Sequence, residues 1–557
     1  MNNDSKHSEI PDSLFIFGTA TLFVLIGWYK FKTILIKLYL ENRYFIAFVI
    51  TVLILLIYLR VKSYLLKKME PQILENEILG ESKSEPSVFA GFSDKGKRVY
   101  IKPSFRRMHT QIVGTTNAGK TESVILPWAI DDIKRKRGLI IIDGKSDRSM
   151  LNKLYSYAKL YGRDLEVKIL SLCDVNMSHT FNPLAYGSAL EVTERVFKAF
   201  TFENEYYKSL QYESLLHTLL IFEKAKVIPT PVKIIEALRS SVNLLHLARI
   251  SNDPTLIDWV NSFLKKSNDE RDQQTSGLVS QLQALAVGEA APIFNAEISD
   301  IDLEKALNEG SIIYCQLPVL KIPTLGKTIG KLILQCLQSA VASRHLGNAK
   351  SDEFFSVYLD DFTEYITESF VSLLNKSRSA NVGVVFAHQA LGDLAALGDG
   401  VKNTILSNSN LKIFMRTNEP ESAEYFSQTV GTVQGLKKTE REKSSTFGAS
   451  KTGDASVRDV EEFKFHPNLF KQQLGVGEAV MILPHAKGSL PVRIQFRKVP
   501  DLSDHCKFPH ILKQEPKRLP LLPSKEEELK KLTDANLANN ITKILNSESK
   551  LNAKEAS

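Results

Sequence analysis

The sequence predicts an α/β fold: a doubly wound parallel sheet carrying an inserted all-α region, preceded by a two-helix transmembrane anchor. Three observations predict it. Short buried-type apolar runs alternate with helical segments along most of the chain, the pattern of strands joined by helical crossovers. Between about residues 188 and 305 the strand signal stops and apolar residues fall at helical spacing, as in ESLLHTLLIFEKA and VKIIEALRSSVNLLHLARI. Finally, two nearly uncharged runs stand at the N-terminus, Leu14–Tyr29 and Tyr44–Leu59.

The strand-like runs come in a definite order. HTQIV (His109–Val113) is followed by GLIIID (Gly138–Asp143) and, after the helical stretch, by SIIYCQLPV (Ser311–Val319). FFSVYLDD (Phe354–Asp361), VGVVFAHQ (Val382–Gln389), LKIFMR (Leu411–Arg416) and EAVMIL (Glu478–Leu483) complete the set. Strands apolar at every position belong to a sheet covered on both faces. The expected organisation is an anchor over 1–69, a sheet-based domain over 70–187 and 306–500, the all-α insert over 188–305, and a tail over 501–557. Residues 70–108 are expected to be a linker and a short β-rich entry. Leu436–Ser456 is polar and expected to be a loosely structured loop. The mixed-sign tail beyond about Pro516 is expected to be a solvated helix or a flexible arm.

Composition narrows the class. A chain of 557 residues exceeds one ordinary core, so two or three modules are expected. With 43% apolar and 24% charged residues, global disorder is excluded. The net charge of +8 permits an anionic partner without demanding one. Cys173, Cys315, Cys336 and Cys506 are far apart, which argues against a zinc site or disulfide framework and suits a reducing compartment.

The N-terminal runs predict two spans, at about 14–30 and 44–60. Each would reach about 24 Å as a helix, somewhat less than a hydrocarbon core of about 30 Å. Lys30, Lys32, Arg43, Arg60 and Lys62 flank them and could extend them by snorkelling. Buried core helices are the alternative; a cleaved leader fits poorly, because a second run follows the first.

GTTNAGKT (Gly114, Thr115, Thr116, Asn117, Ala118, Gly119, Lys120, Thr121) sits between a strand and a helix. That is the context a phosphate-binding loop requires: backbone N–H groups curl round phosphate oxygens, Lys120 neutralises them, and the Thr121 hydroxyl binds Mg²⁺. The expected ligands are ATP and Mg²⁺. Cytosolic ATP then puts the soluble part of this two-span protein on the cytoplasmic side of its membrane, and leaves the basic connector Lys30–Arg43 as an exception to positive-inside.

Such a loop needs a carboxylate from another strand. Asp143 and Asp360 both end strands; Asp360 is favoured because Asp361 follows it, giving one carboxylate for the metal and a second as base. Glu364 could replace Asp361 as base. Gln389, ending the next strand, is a candidate for the γ-phosphate or its attacking water. Arg378, just before that strand, is a candidate for a neighbouring subunit's nucleotide.

Taken together, the hairpin anchor, GTTNAGKT, IIIDGKSD, SHTFNPL (Ser178–Leu184), the helical insert, YLDDF, SRSANVGVVFAHQ and EPESAEYFSQTVG resemble the TraG/TraD family of conjugation and type IV secretion coupling proteins. The resemblance covers about residues 10–500 and implies membership of the FtsK/HerA class, with a RecA-like core. It implies a homo-hexameric ATPase, anchored as a multi-pass protein in a bacterial inner membrane with its soluble part in the cytoplasm, that passes relaxase-bound DNA, or protein, to a secretion channel. It also implies nucleotide binding at Gly114, Gly119, Lys120 and Thr121, Mg²⁺ at Asp360, γ-phosphate contact by Gln389 and a trans-acting Arg378. Single-stranded DNA held without sequence reading is the expected cargo contact, with Lys437, Lys438, Arg441 and Lys443 as a pore-facing segment. Two departures stand out. Asp361 occupies a position that is usually Glu, and the all-α region carries a net charge near −5, which disfavours double-stranded DNA there. The rival readings are another translocase or assembly motor of the class, and a non-motor receptor with weak turnover.

Overall fold

The computed structural model describes residues 25–34, 36–37, 48, 50–62, 78–82, 84–347, 353–445, 448–485, 488–503 and 506–519, and at 436–445 and 448–457 the backbone only. The chain divides into two compact units, Met1–Ile78 and Leu79–Ser557.

In the first unit the described residues are helical, with exposed apolar side chains such as Trp28, Phe31, Leu55 and Ile57. Among the described residues no helix is long and apolar enough to cross a membrane. The uninterrupted described helix 50–62 would reach only about 20 Å at the helical rise. This overturns the expected transmembrane anchor and the multi-pass inner-membrane localisation. The remaining parts of the two expected spans lie outside the described residues.

The second unit is built on one large sheet. Its strands are β1 (Val88–Ser93), β2 (Arg98–Ile101), β3 (Thr110–Val113), β4 (Leu139–Asp143), β5 (Val167–Ser171), β6 (Ile312–Gln316), β7 (Phe355–Asp360), β8 (Val382–His388), β9 (Leu411–Phe414), β12 (Glu478–His485) and β13 (Gly488–Phe496). The hairpin β10 (Thr432–Ser445) and β11 (Gly448–Phe463) forms a separate two-stranded sheet. The order in the large sheet is β2-β1-β13-β12-β9-β3-β8-β7-β4-β6-β5. From β9 to β5 every pairing is parallel; β1, β2, β12 and β13 extend one edge antiparallel. The fold is therefore α/β with a mostly parallel sheet.

The central strands hold because their apolar runs are covered on both faces. All of β3, β4, β6, β7 and β8 is buried. Helices from Ala189 to Phe294 lie in sequence between β5 and β6, and those up to Ala286 start at side-chain caps. Ser188 and Ser267 form capping boxes with Glu191 and Glu270, and Asn204 and Thr230 cap the helices Glu205–Lys224 and Pro231–Arg239. These helices share one core with the sheet, since Phe222, Leu278 and Phe294 belong to the same buried cluster as Ile140, Leu170 and Val357.

Three expectations need correction. EAVMIL is a strand, but it runs antiparallel to β9, because β12 turns straight back into β13. The segment 436–456 is not a loose loop. It is most of the β10–β11 hairpin, a two-stranded antiparallel ladder held by cross-strand backbone pairing rather than by an apolar run. The stretch up to Leu519 is neither a free arm nor a helix. Ile511 N–H donates to Asn176 O, Leu519 N–H donates to Glu236, and Lys517 and Arg518 pair with Glu297 and Glu236. Residues 520–557 lie outside the described residues.

Candidate nucleotide-binding site

Parallel pairing brings the C-terminal ends of β3, β8, β7 and β4 to one edge, where the crevice of an open α/β sheet forms. The loop Gly114–Gly119 leaves β3 there. Gly119 has φ 97°, and a Cβ on it would lie 2.9 Å from Ser123 Oγ, so a side chain is excluded twice. Gly114 is required by crowding: its Cβ would stand 2.7 Å from Met415 Cβ.

Lys120 turns back over the loop, and its ammonium donates to Gly114 O at 2.6 Å and Thr115 O at 3.1 Å. Burial, and then the nearby Lys145, lower its affinity for the proton. Lys120 opens a π-helical turn, Lys120–Ile125, that passes into the helix Leu126–Lys134. A loop whose amides precede a helix in this way suits an anionic ligand.

Thr121 Oγ1 donates to Asp360 Oδ2 at 2.7 Å, joining the loop's helix to the end of β7. Asp360 is buried, and its Oδ1 has no hydrogen-bond partner among the described residues. A hydroxyl beside a carboxylate with a spare buried oxygen is a donor set that fits Mg²⁺.

Asp143, the other candidate, faces a different task. Its carboxylate accepts from Lys145 N–H at 2.9 Å, Asp147 N–H at 2.6 Å and Tyr314 OH at 2.7 Å. Those bonds fill it and fold the loop after β4. Burial pushes its pKa up, with the neighbouring Asp360 adding to the effect.

Asp361 stands beside Asp360 at φ 48°. Its pKa is raised, first by burial and then by the adjacent Asp360, against the pull of Lys145. Glu364 is engaged elsewhere, paired with Lys327 at 2.9 Å. Gln389 reaches the loop: Thr116 Oγ1 donates to its Oε1 at 3.3 Å. The turn carrying it is locked, since the Gln389 and Ala390 amides donate to Asp393 Oδ2 at 2.9 and 3.0 Å.

Known proteins resemble this chain in two sequence segments and in fold. Residues 65–197 match the family model described as type IV secretory system conjugative DNA transfer, and residues 355–463 match the TraM recognition site of TraD and TraG. The type 4 coupling protein DotL of Legionella pneumophila is 21% identical over 60% of this chain. Over these stretches this chain is similar to the type IV coupling proteins. It spans about half the length of DotL, 51%. Among solved structures, the conjugative coupling protein TrwB without its first 70 residues gives a TM-score of 0.53 at 13% identity, covering 74% of this chain and 90% of that one. TrwB in complex with ADP and Mg²⁺ gives 0.53 at 14% identity, covering 72% and 89%. At such identities the likeness is one of fold.

The loop residues, Thr121, Asp360, Asp361 and Gln389 come together at one edge of the sheet. Arg378 does not join them. It is exposed at the end of the helix Ser369–Ser377, before β8 begins, whereas Gln389 follows β8. Seven strand residues separate the two, about 20 Å at the usual rise. Sequence reasoning missed Lys145. Its Nζ lies 3.3 Å from Asp361 Oδ2 and 3.8 Å from Asp360 Oδ2. The only signal was its place two residues after a strand-ending Asp.

Proposed function

We propose that this chain is an ATP-hydrolysing coupling protein that delivers a DNA–relaxase or protein substrate to a type IV secretion or conjugation channel. The observation that carries the chemistry is the Thr121–Asp360 contact across the mouth of the glycine loop, with Gln389 set against Thr116. The RecA-like reading of the sheet rests on the same arrangement.

In this reading the loop amides and Lys120 bind the phosphates of ATP, while Thr121 and Asp360 hold Mg²⁺. When bound, the ion offsets charge that builds up on the phosphate oxygens. Asp361 takes the proton of the attacking water, helped by a raised proton affinity. Gln389 orients that water and detects its consumption. A homo-hexamer places Arg378 against the neighbouring subunit's nucleotide, and single-stranded DNA passes through the ring without base reading.

ATPase turnover of the full chain, with and without single-stranded DNA, tests this. We expect turnover that rises several-fold with DNA and is lost in Lys120→Ala. Nucleotide binding without turnover in any condition would favour a substrate receptor. The short Asp361, tied to Lys145 at 3.3 Å, is the observation that would then explain it.

A further inference from the structure

Lys145 is held in place by more than its own flexibility. The loop Gly144–Asp147 wraps the buried Asp143 carboxylate, which accepts from the amides of Lys145 and Asp147. Ser146 adopts φ 62°, and its carbonyl accepts from Gln316 Nε2 at 3.1 Å. Gly144 N–H donates to Asp360 O at 3.4 Å, and a Cβ at Gly144 would sit 3.3 Å from Asp361 O. Because β4 pairs with β7 with Asp143 opposite Asp360, this loop lies directly against the acidic pair.

The consequence is a cation placed where two adjacent carboxylates converge. Lys120 is committed to the loop carbonyls, so Lys145 is the ammonium nearest both Asp360 Oδ2 and Asp361 Oδ2. A divalent ion at Asp360 and an ammonium 3.8 Å from the same oxygen repel each other. The side chain of Lys145 is 42% exposed, which leaves it a path to solvent.

We propose that Lys145 is the resident counter-ion of the Asp360–Asp361 pair, and that loading of Mg²⁺ with nucleotide displaces it. This rests on the nucleotide-binding reading above. It makes Lys145 a positioning residue that sets how much Mg²⁺ the site requires and keeps the acidic pair neutralised between turnovers.

The test is binding of a fluorescent ATP analogue to the full chain, titrated with Mg²⁺. In Lys145→Met the half-saturating Mg²⁺ should fall by about two- to fivefold, the scale of a partly exposed ion pair. Lys145→Arg keeps the charge and should stay near wild type. Without nucleotide, Mg²⁺ should raise the melting temperature of Lys145→Met more than that of wild type. Lys145→Gln serves in place of the Met variant if that one does not fold. An unchanged Mg²⁺ requirement in both neutral variants overturns the proposal, as does Lys145→Arg behaving like Met. Failure of the underlying reading looks different: wild type would then bind the analogue no better than Lys120→Ala, at any Mg²⁺ concentration, and the proposal falls with it.

Discussion

Thr121 and Asp360, 239 positions apart, are joined by a 2.7 Å hydrogen bond from the threonine hydroxyl to the carboxylate. Thr121→Val removes the hydroxyl and keeps the shape. It leaves the buried Asp360 without that donor, at a cost of about 1–3 kcal/mol in stability. Turnover should drop about 100-fold, a typical loss for one preorganised charge-stabilising group. Thr121→Ser keeps the oxygen and should retain most of both. Thermal melting and ATPase rates across a Mg²⁺ series check the pair of variants.

The choice of base follows from what each carboxylate touches. Glu364 is bound to Lys327 at 2.9 Å and partly exposed, so Glu364→Gln should change turnover by less than about threefold, as surface pairs contribute little. Asp361→Asn should cost about 100-fold or more, the range of general-base catalysis, while leaving nucleotide affinity near wild type. Single-turnover rates beside binding titrations separate the two effects. A large loss in Glu364→Gln with little change in Asp361→Asn would move the base to Glu364.

Much of this site was legible because it is local. GTTNAGKT is contiguous, its glycines answer to one turn and one crowded contact, and YLDD announces its acids by ending an apolar run. What was not legible depends on pairing between distant strands. Nothing near Lys145 indicates that β4 lies beside β7, and nothing in EAVMIL indicates which way it runs. The strand VKILS (β5) was not among the expected strands. The β10–β11 hairpin escaped because it lacks apolar alternation, the signal that usually marks a strand. At the N-terminus, apolar length alone suggested two spans that the described helices do not bear out.

Two buried histidines make stability depend on pH. Burial, opposed by a backbone bond to Leu374, takes the His109 pKa down to about 4; burial takes that of His388, bonded to Ala390 O, down to about 4 as well. Both are neutral in the folded chain, whereas the unfolded chain protonates them near pH 6.5. The unfolded state therefore binds more protons between pH 6.5 and 4, and stability falls as pH drops through that window. Each site should cost about 2 kcal/mol between pH 7 and pH 5. Urea midpoints at the two pH values measure this. His109→Gln should flatten the slope by roughly half of that combined loss, and a slope unchanged in that variant would rule the histidine out as its source.

Arg378 lies at the wrong end of β8 to serve its own subunit's loop, so any catalytic part it plays is on a neighbour. Arg378→Ala should then abolish most turnover, by about 1,000-fold if it acts as an arginine finger, without changing stability, because the residue is exposed. The decisive measurement is a mixture. Subunits carrying Arg378→Ala keep an intact loop but lack the finger, and subunits carrying Lys120→Ala keep the finger but lack the loop. Each alone should be inactive, and mixed assemblies should regain a measurable fraction of wild-type turnover, because some interfaces pair an intact loop with an intact arginine. Near-normal turnover of Arg378→Ala alone would mark the residue as a surface charge and remove this reason for expecting a ring.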